Sequence, residues 1–567
     1  MASPPTDSSV GGRFELAGPT PVTVSPKVPA DLVIHNARVF TAGLAAPFDG
    51  GVAIKSGRIS AVGRDGDLRR LVGSSTETLD ASGGLLAPGF IDAHVHPITG
   101  GLKLFTCSLY GANSALEAVE AVRSYAAAYP ALEWITGGGW SLEWFERGTP
   151  AATLLDAVES DRPVFLYNRD GHGAWVNSRA LQLAGIGAST PDPPDGRIER
   201  DRDGHPQGTL QEGAMHLIER ILPPVTAGDW EKALLSGQDY LLSFGITGWQ
   251  DADVRPAQDA AYLTVAGRGG LVASAVGALW WERDRGLEQV EQLLARRAAM
   301  APRYRPTTVK LMLDGIVENF TAAMLDPYLD GRGGVTPNAG LDFIHRDDLR
   351  RIVILLDRLG FQCHFHAIGD RAVRHALDAV EGARTVNGHS GPTHHIAHLQ
   401  VIQASDLDRF ARLGVAANAQ PLWACNEPQM VDLTLPFLSP AQAVRQYPFA
   451  SLLRAGAVVA MGSDWSVSPP DVMQQIEVAV TRRHPAHPEQ EPFLAGEAIA
   501  LAEALTAYTL GSARVNRAEG RVGTIEVGKT ADLVLLDRDP FRETPIGETR
   551  VRHTIIDGAV VYRVPQS

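Results

Sequence analysis

At 567 residues, 44% hydrophobic and 20% charged, with 57 glycines and 37 prolines, the chain reads as a turn-rich globular protein of roughly three or four domain-sized units, not a disordered or fibrous one. A formal net charge of -14 leaves no broad basic surface to neutralise phosphates, which argues against nucleic-acid binding and for a small-molecule partner. Cys107, Cys363 and Cys425 are the only cysteines and lack C-x-x-C spacing, so neither a disulfide framework nor a zinc knuckle is expected, and a cytoplasmic setting is.

Residues 1–29 are rich in Pro, Ser, Gly and Thr and predict a flexible arm without a signal-peptide pattern. DLVIHNARVF (31–40) and GVAIKSGRISAVG (51–63) predict strands, the second turning at Ser56-Gly57. The far end has the same texture: ADLVLLDRD (531–539) and VRHTIIDGAVVYR (551–563) predict strands, with a turn at Asp557-Gly558. One small β-domain built from both ends, 30–84 with 516–567, is the economical reading. No stretch reaches the roughly 18 apolar residues a membrane span needs, so no membrane partner is expected.

Between the ends, over 85–515, eight short β-type runs alternate with helical stretches: 85–96, 245–251, 271–279, 308–315, 361–369, 394–401, 414–421 and 457–465. Eight strands each followed by a helix, such as 348–360 or 405–414, predict an α/β fold of the (β/α)8 barrel type. About 150 residues separate the first run from the second, more than a crossover helix uses. An inserted subdomain over the barrel mouth, about 100–242, is therefore expected. It contains a helix in AVEAVRSYAAAY, an apolar run PVFLYN and the Gly/Asp-rich stretch PDPPDGRIERDRDGHPQG.

Five signals at the ends of these runs carry chemistry. His94 and His96 stand two apart at a strand end, so both imidazoles can face one ion, although an isolated H-x-H is often structural. Lys310 lies inside apolar TVKLMLDG, where it must snorkel, pair with an acid such as Asp314, or be chemically altered; burial lowers its pKa and favours reaction of the neutral amine with carbon dioxide. His366 and His398 end the fifth and sixth runs. His364 shares a strand face with His366 and His394 with His398, while His395 lies on the opposite face, so register alone does not choose among them. Asp464 follows an apolar strand and suits either a helix cap or a metal ligand and general base. Five such signals at one barrel face outweigh any one of them.

GLLAPGFIDAHVH, VKLMLDG, HFHAIGDRAV, IAHLQV and GSDW resemble the motif series of the amidohydrolase superfamily, specifically amidohydrolase family 3, and the likeness runs from about residue 31 to 563. GTIEVGKTADLVLLD is similar to the segment closing that family's β-sandwich domain. The resemblance implies a TIM barrel with a β-sandwich formed from both chain ends. It further implies two zinc ions, with His94 and His96 ligating one, His366 and His398 the other, carboxylated Lys310 bridging, and Asp464 as ligand and catalytic base. It decides against His364, His394 and His395. Ala397 stands where many relatives have an acid before the sixth-run ligand. GGGWSLEW and DGHGAWVNSRAL are similar to segments facing the family's pocket, which makes Trp140 and His172 substrate-contact candidates against the alternative of subdomain core.

The implied activity is hydrolysis of a non-peptide carbon–nitrogen bond, such as an N-acyl or N-formyl amide. Deamination or cyclic-amide hydrolysis on the same barrel is the alternative, and a non-catalytic binding or regulatory protein a third reading. Trp140, Trp144, Trp175 and Phe145 in the insert suit an apolar or aromatic substrate. A homodimer is one expected assembly, and the sequence does not fix the oligomeric state.

Overall fold

The computed structural model describes residues 29–564 except 44, 45 and 390; the arm expected over 1–29 lies outside the described residues save its last position. The middle of the chain forms eight parallel strands in sequence order. They are β1 (Phe90–Val95), β2 (Ile246–Val254), β3 (Ser274–Trp280), β4 (Tyr304–Met312), β5 (Gln362–Ala367), β6 (His395–His398), β7 (Ala416–Ala419) and β8 (Val459–Met461). Each of the eight predicted runs thus supplies one strand to a nearly closed barrel sheet, with helices such as Arg346–Arg358, Asp370–Asn387 and Val472–Thr481 between them. Their apolar faces join the strands in one continuous core.

Between β1 and β8 the sheet closes without a strand pair. Just past the strand ends, Asp464 N–H donates to the His94 carbonyl at 2.8 Å and His96 N–H to the Trp465 carbonyl at 2.7 Å. Lower down, Asp92 of β1 accepts from the Ser463 N–H at 3.0 Å and from its hydroxyl at 2.5 Å. The seam is therefore a clasp of individual hydrogen bonds, and the chemistry-bearing ends of β1 and β8 meet across it.

The first and last strands of the chain share a second, mixed sheet. Its order is Ala559–Arg563, Val551–Ile556, Leu533–Leu536, Leu85–Pro88, Leu32–Val39, Phe48–Lys55 and Arg58–Gly63, with Glu77–Asp80 beside Leu32–Val39. Both predicted turns are present. Ser56 and Gly57 have φ of 49° and 75°, Asp557 and Gly558 have 50° and 76°, the left-handed pair that matches the twist of a two-residue hairpin. The run 85–96 is not one strand but two: Leu85–Pro88 belongs to the terminal sheet and Phe90–Val95 to the barrel. Gly89 sits at the break, where a Cβ would come within 2.4 Å of the Thr247 side chain.

The segment after β1 carries a six-stranded sheet ordered Gly196–Arg200, Pro206–Glu212, Gly173–Val176, Val164–Asn168, Ile135–Trp140 and Cys107–Ser108. The Gly/Asp-rich stretch is a hairpin of this sheet. Helix Ala227–Ser243, opened by a Thr226/Asp229 capping box, falls in the range 100–242 but for its last residue, yet its apolar side belongs to the barrel core, so it is the crossover leading into β2. Among the described residues no helix is long and apolar enough to cross a membrane.

Candidate metal centre

Strand alternation sends Asp92 and His94 of β1, and His364 and His366 of β5, to the same side of their strands, while Phe365 points into the surrounding core. Two other site residues are aimed by their backbone. His398, the last residue of β6, has φ 78°, and Asp464, just past β8, has φ 54°. Left-handed geometry at a non-glycine residue costs on the order of 1–3 kcal/mol and persists where the surroundings impose it.

Asp464 is the convergence point. Its Oδ1 lies 3.1 Å from His96 Nε2 and 3.5 Å from His94 Nε2, and its Oδ2 is 3.8 Å from His398 Nδ1. Ligand atoms of His94, His398 and Asp464 all fall within 4.8 Å of one another. His398 Nδ1 and Asp464 Oδ1 are buried and have no hydrogen-bond partner, because the imidazole contacts are close but not aligned for one. Leaving a buried polar atom unpaired costs about 1–3 kcal/mol, so two such atoms on residues that adjoin each other call for a partner between them. Imidazole nitrogens and a carboxylate oxygen are a donor set that suits a divalent ion such as zinc. Burial, reinforced by neighbouring cations including Lys310, pushes His94, His366 and His398 well below the ordinary imidazole range. They are neutral, the form that ligates.

The remaining predicted residues take distinct places. His366 packs its ring 4.4 Å from that of His398, but its Nε2 faces the Gly315 carbonyl at 3.4 Å and Asp314 at 3.7 Å. Lys310 is 3% exposed, and burial pushes its amine down to about 8 against the opposing pull of Asp464 and Asp253. It makes no ion pair with Asp314, whose carboxylate accepts the N–H groups of Ala323, Ile368 and Gly369 at 2.9–3.1 Å. Nor does Asp464 cap the next helix, since Asp471 accepts from Met473 and Gln474 there. The rival histidines face elsewhere. His394 bonds the Cys363 N–H and Asp357, each at 3.0 Å, His395 bonds Gln250, and His364 stands behind His94 with 2.8 Å between Nε2 and Nδ1.

Trp140 has no exposed surface, donates its indole N–H to the Leu166 carbonyl at 2.8 Å, and packs edge-on to Phe145 and Trp175. That is the core alternative of its two readings. His172 lies with its ring 5.6 Å from that of His366. Burial opposes charge on His172, yet Glu212, 3.0 Å from its Nδ1, prevails and raises it to about 9. Glu212 was not singled out from sequence. It comes from the insert hairpin at φ 49° and also accepts from the Thr321 hydroxyl at 2.7 Å. Asp92 was likewise missed, although a carboxylate within an apolar strand two residues before His94 is a usable signal.

Among curated relatives, the putative amidohydrolase YtcJ of Bacillus subtilis is 30% identical over 90% of this chain and 95% of its own. N-substituted formamide deformylase of Arthrobacter pascens is 29% identical over 94% and 98%. An uncharacterized metal-dependent hydrolase from Pyrococcus furiosus superposes with a TM-score of 0.69 at 26% identity, covering 90% of this chain and 99% of that one. A model of the Amidohydrolase family matches residues 77–562, and the chain belongs to that family of hydrolases.

Proposed function

We propose that the protein hydrolyses a non-peptide amide, an N-acyl or N-formyl carbon–nitrogen bond of a small molecule, at a centre of two zinc ions bridged by carboxylated Lys310. His94 and His96, His366 and His398, and Asp464 complete the ligand set. The observation that carries this reading is the unpaired Asp464 oxygen buried among neutral histidines. The formamide deformylase relative favours the amide over other carbon–nitrogen bonds. When bound, divalent ions supply a water of lowered pKa and polarise a carbonyl. Asp464 takes the proton of the attacking water and returns it to the leaving nitrogen, one carboxylate serving as base and then acid. His172, held by Glu212 beside His366, contacts the substrate. Trp423, stacked on the His398 ring at 5.4 Å, offers an apolar wall suited to an aromatic or aliphatic substrate. In this reading the terminal sheet forms the β-sandwich domain and the six-stranded insert carries specificity.

A second reading, deamination at a single ion, is favoured by one detail: the ligand atoms of His94, His398 and Asp464 converge while His366 Nε2 turns to the Gly315 carbonyl. Metal content per chain, measured by elemental mass spectrometry on protein supplied with zinc and bicarbonate, separates them. About two ions, with acid released from N-formyl or N-acyl amines, is the expected result; about one ion with ammonia release selects the alternative.

A further inference from the structure

Inside the barrel, behind the ligand histidines, runs a buried polar chain whose direction is fixed by groups that cannot exchange roles. The carbonyls of Thr393 and Val515 only accept, and they lie 2.6 and 2.7 Å from Gln362 Nε2. Gln362 Oε1 therefore faces the other way, accepting from Thr308 Oγ1 at 2.8 Å and Gln250 Nε2 at 3.1 Å. The second N–H of Gln250 goes to Asn516 Oδ1 at 3.0 Å, which leaves Gln250 Oε1 as an acceptor. His364 Nδ1 and His395 Nε2 each approach that oxygen at 2.8 Å, so both must donate. A neutral imidazole that donates from Nδ1 accepts at Nε2, and His364 Nε2 is 2.8 Å from His94 Nδ1. His94 must then carry its proton on Nδ1 and present a bare Nε2 towards Asp464, 3.5 Å away.

The other branch agrees. His395 Nδ1 accepts from Asn418 Nδ2 at 3.2 Å, and that amide also donates to the Ala93 carbonyl at 2.8 Å. Gln250, Gln362, His94, His364 and His395 are each at most 2% exposed, so water does not substitute for any link.

We propose that Gln250 is a positioning residue: through His364 it fixes the tautomer and ring orientation of His94, presetting one ligand nitrogen before any ion arrives, a role that rests on the metal-binding reading of the same site. Outer partners of ligating histidines typically govern metal affinity by 10- to 100-fold, roughly.

Nitrogen-15 labelling of histidine in chelator-treated wild-type protein, with the His94 signals assigned by their loss in His94→Asn, reads the tautomer directly. A protonated Nδ1 is expected; His94 protonated at Nε2 overturns the proposal without recourse to any Gln250 variant. Zinc affinity by chelator competition then compares wild type with Gln250→Leu, His364→Leu and His364→Gln. Both leucine variants should bind zinc about 10- to 100-fold more weakly, while His364→Gln, whose amide oxygen accepts from His94 Nδ1, should lie nearer wild type. Wild-type affinity in folded Gln250→Leu overturns the positioning role. Failure of wild type itself to bind zinc would instead overturn the metal reading.

Discussion

Replacing Asp92 with asparagine tests whether the seam between β1 and β8 is clasped by a buried carboxyl group. Asp92 has no exposed surface and accepts from the His94 N–H at 3.1 Å, the Ser463 N–H at 3.0 Å and the Ser463 hydroxyl at 2.5 Å. Burial, only partly offset by these bonds, raises its pKa from 3.8 to about 7. Between those values the folded protein keeps a proton on Asp92 that the unfolded chain has released. The stability this group contributes is therefore fully present below 3.8 and is lost as the pH rises through about 7. At about 1.4 kcal/mol per unit the whole window is worth roughly 4 kcal/mol, of which about 3 kcal/mol falls above about pH 5. Asparagine cannot titrate. It keeps a carbonyl for the two N–H groups and turns its amide to the Ser463 oxygen, at a cost of about 1 kcal/mol for the displaced hydroxyl. The variant should therefore gain about 3 kcal/mol on wild type between about pH 5 and about pH 8. Urea unfolding of chelator-treated proteins at both pH values measures this gap. Asp251 and Asp314, also raised to about 7, are common to both proteins and cancel. A gap that stays constant with pH refutes the buried-carboxyl account.

Asp464→Asn should lower turnover by roughly 100-fold or more, since a general base contributes at least that much; wild-type-like rates in a metal-loaded variant remove its assignment. At Gly462 a Cβ would lie 2.5 Å from the His94 amide nitrogen and 2.8 Å from Asp92 Oδ1, so Gly462→Ala should cost about 1–3 kcal/mol and weaken zinc binding, read by thermal unfolding and chelator competition. With the Lys310 amine at about 8, its neutral fraction grows as the pH rises through that value. At a fixed concentration of dissolved carbon-13 dioxide, the rate of label uptake by chelator-treated protein should rise over the same range and vanish in Lys310→Met; a rate flat with pH under that condition, or label retained in the variant, argues against the carbamate.

The barrel was legible because each strand is a short apolar run bounded by turn chemistry, and the terminal sheet because two left-handed dipeptides mark its hairpins. Divided strands were less so. Leu85–Pro88 and Phe90–Val95 read as one run, since nothing local distinguishes a strand from two halves serving different sheets. The choice of histidines was illegible for a related reason. His364 and His366 share a face and differ only in what lies beyond their rings, Gln250 in one case and the Gly315 carbonyl in the other, partners far off in sequence. Trp140 shows the same limit: an aromatic residue in a pocket-like motif and one filling a core look alike until the indole N–H finds Leu166.

The break at Gly89 has a consequence for how the molecule assembles. Leu85–Pro88 is held on one side by Leu533–Leu536, near the end of the chain, and only Gly89 separates it from the strand that bears His94. During synthesis the barrel strands emerge long before this anchor does, so until Leu533–Leu536 is made, Leu85–Pro88, which the ligand strand continues, is flanked in the terminal sheet by Leu32–Val39 alone. Chains truncated before residue 533 should therefore reach a compact barrel yet mature into metal-binding protein poorly.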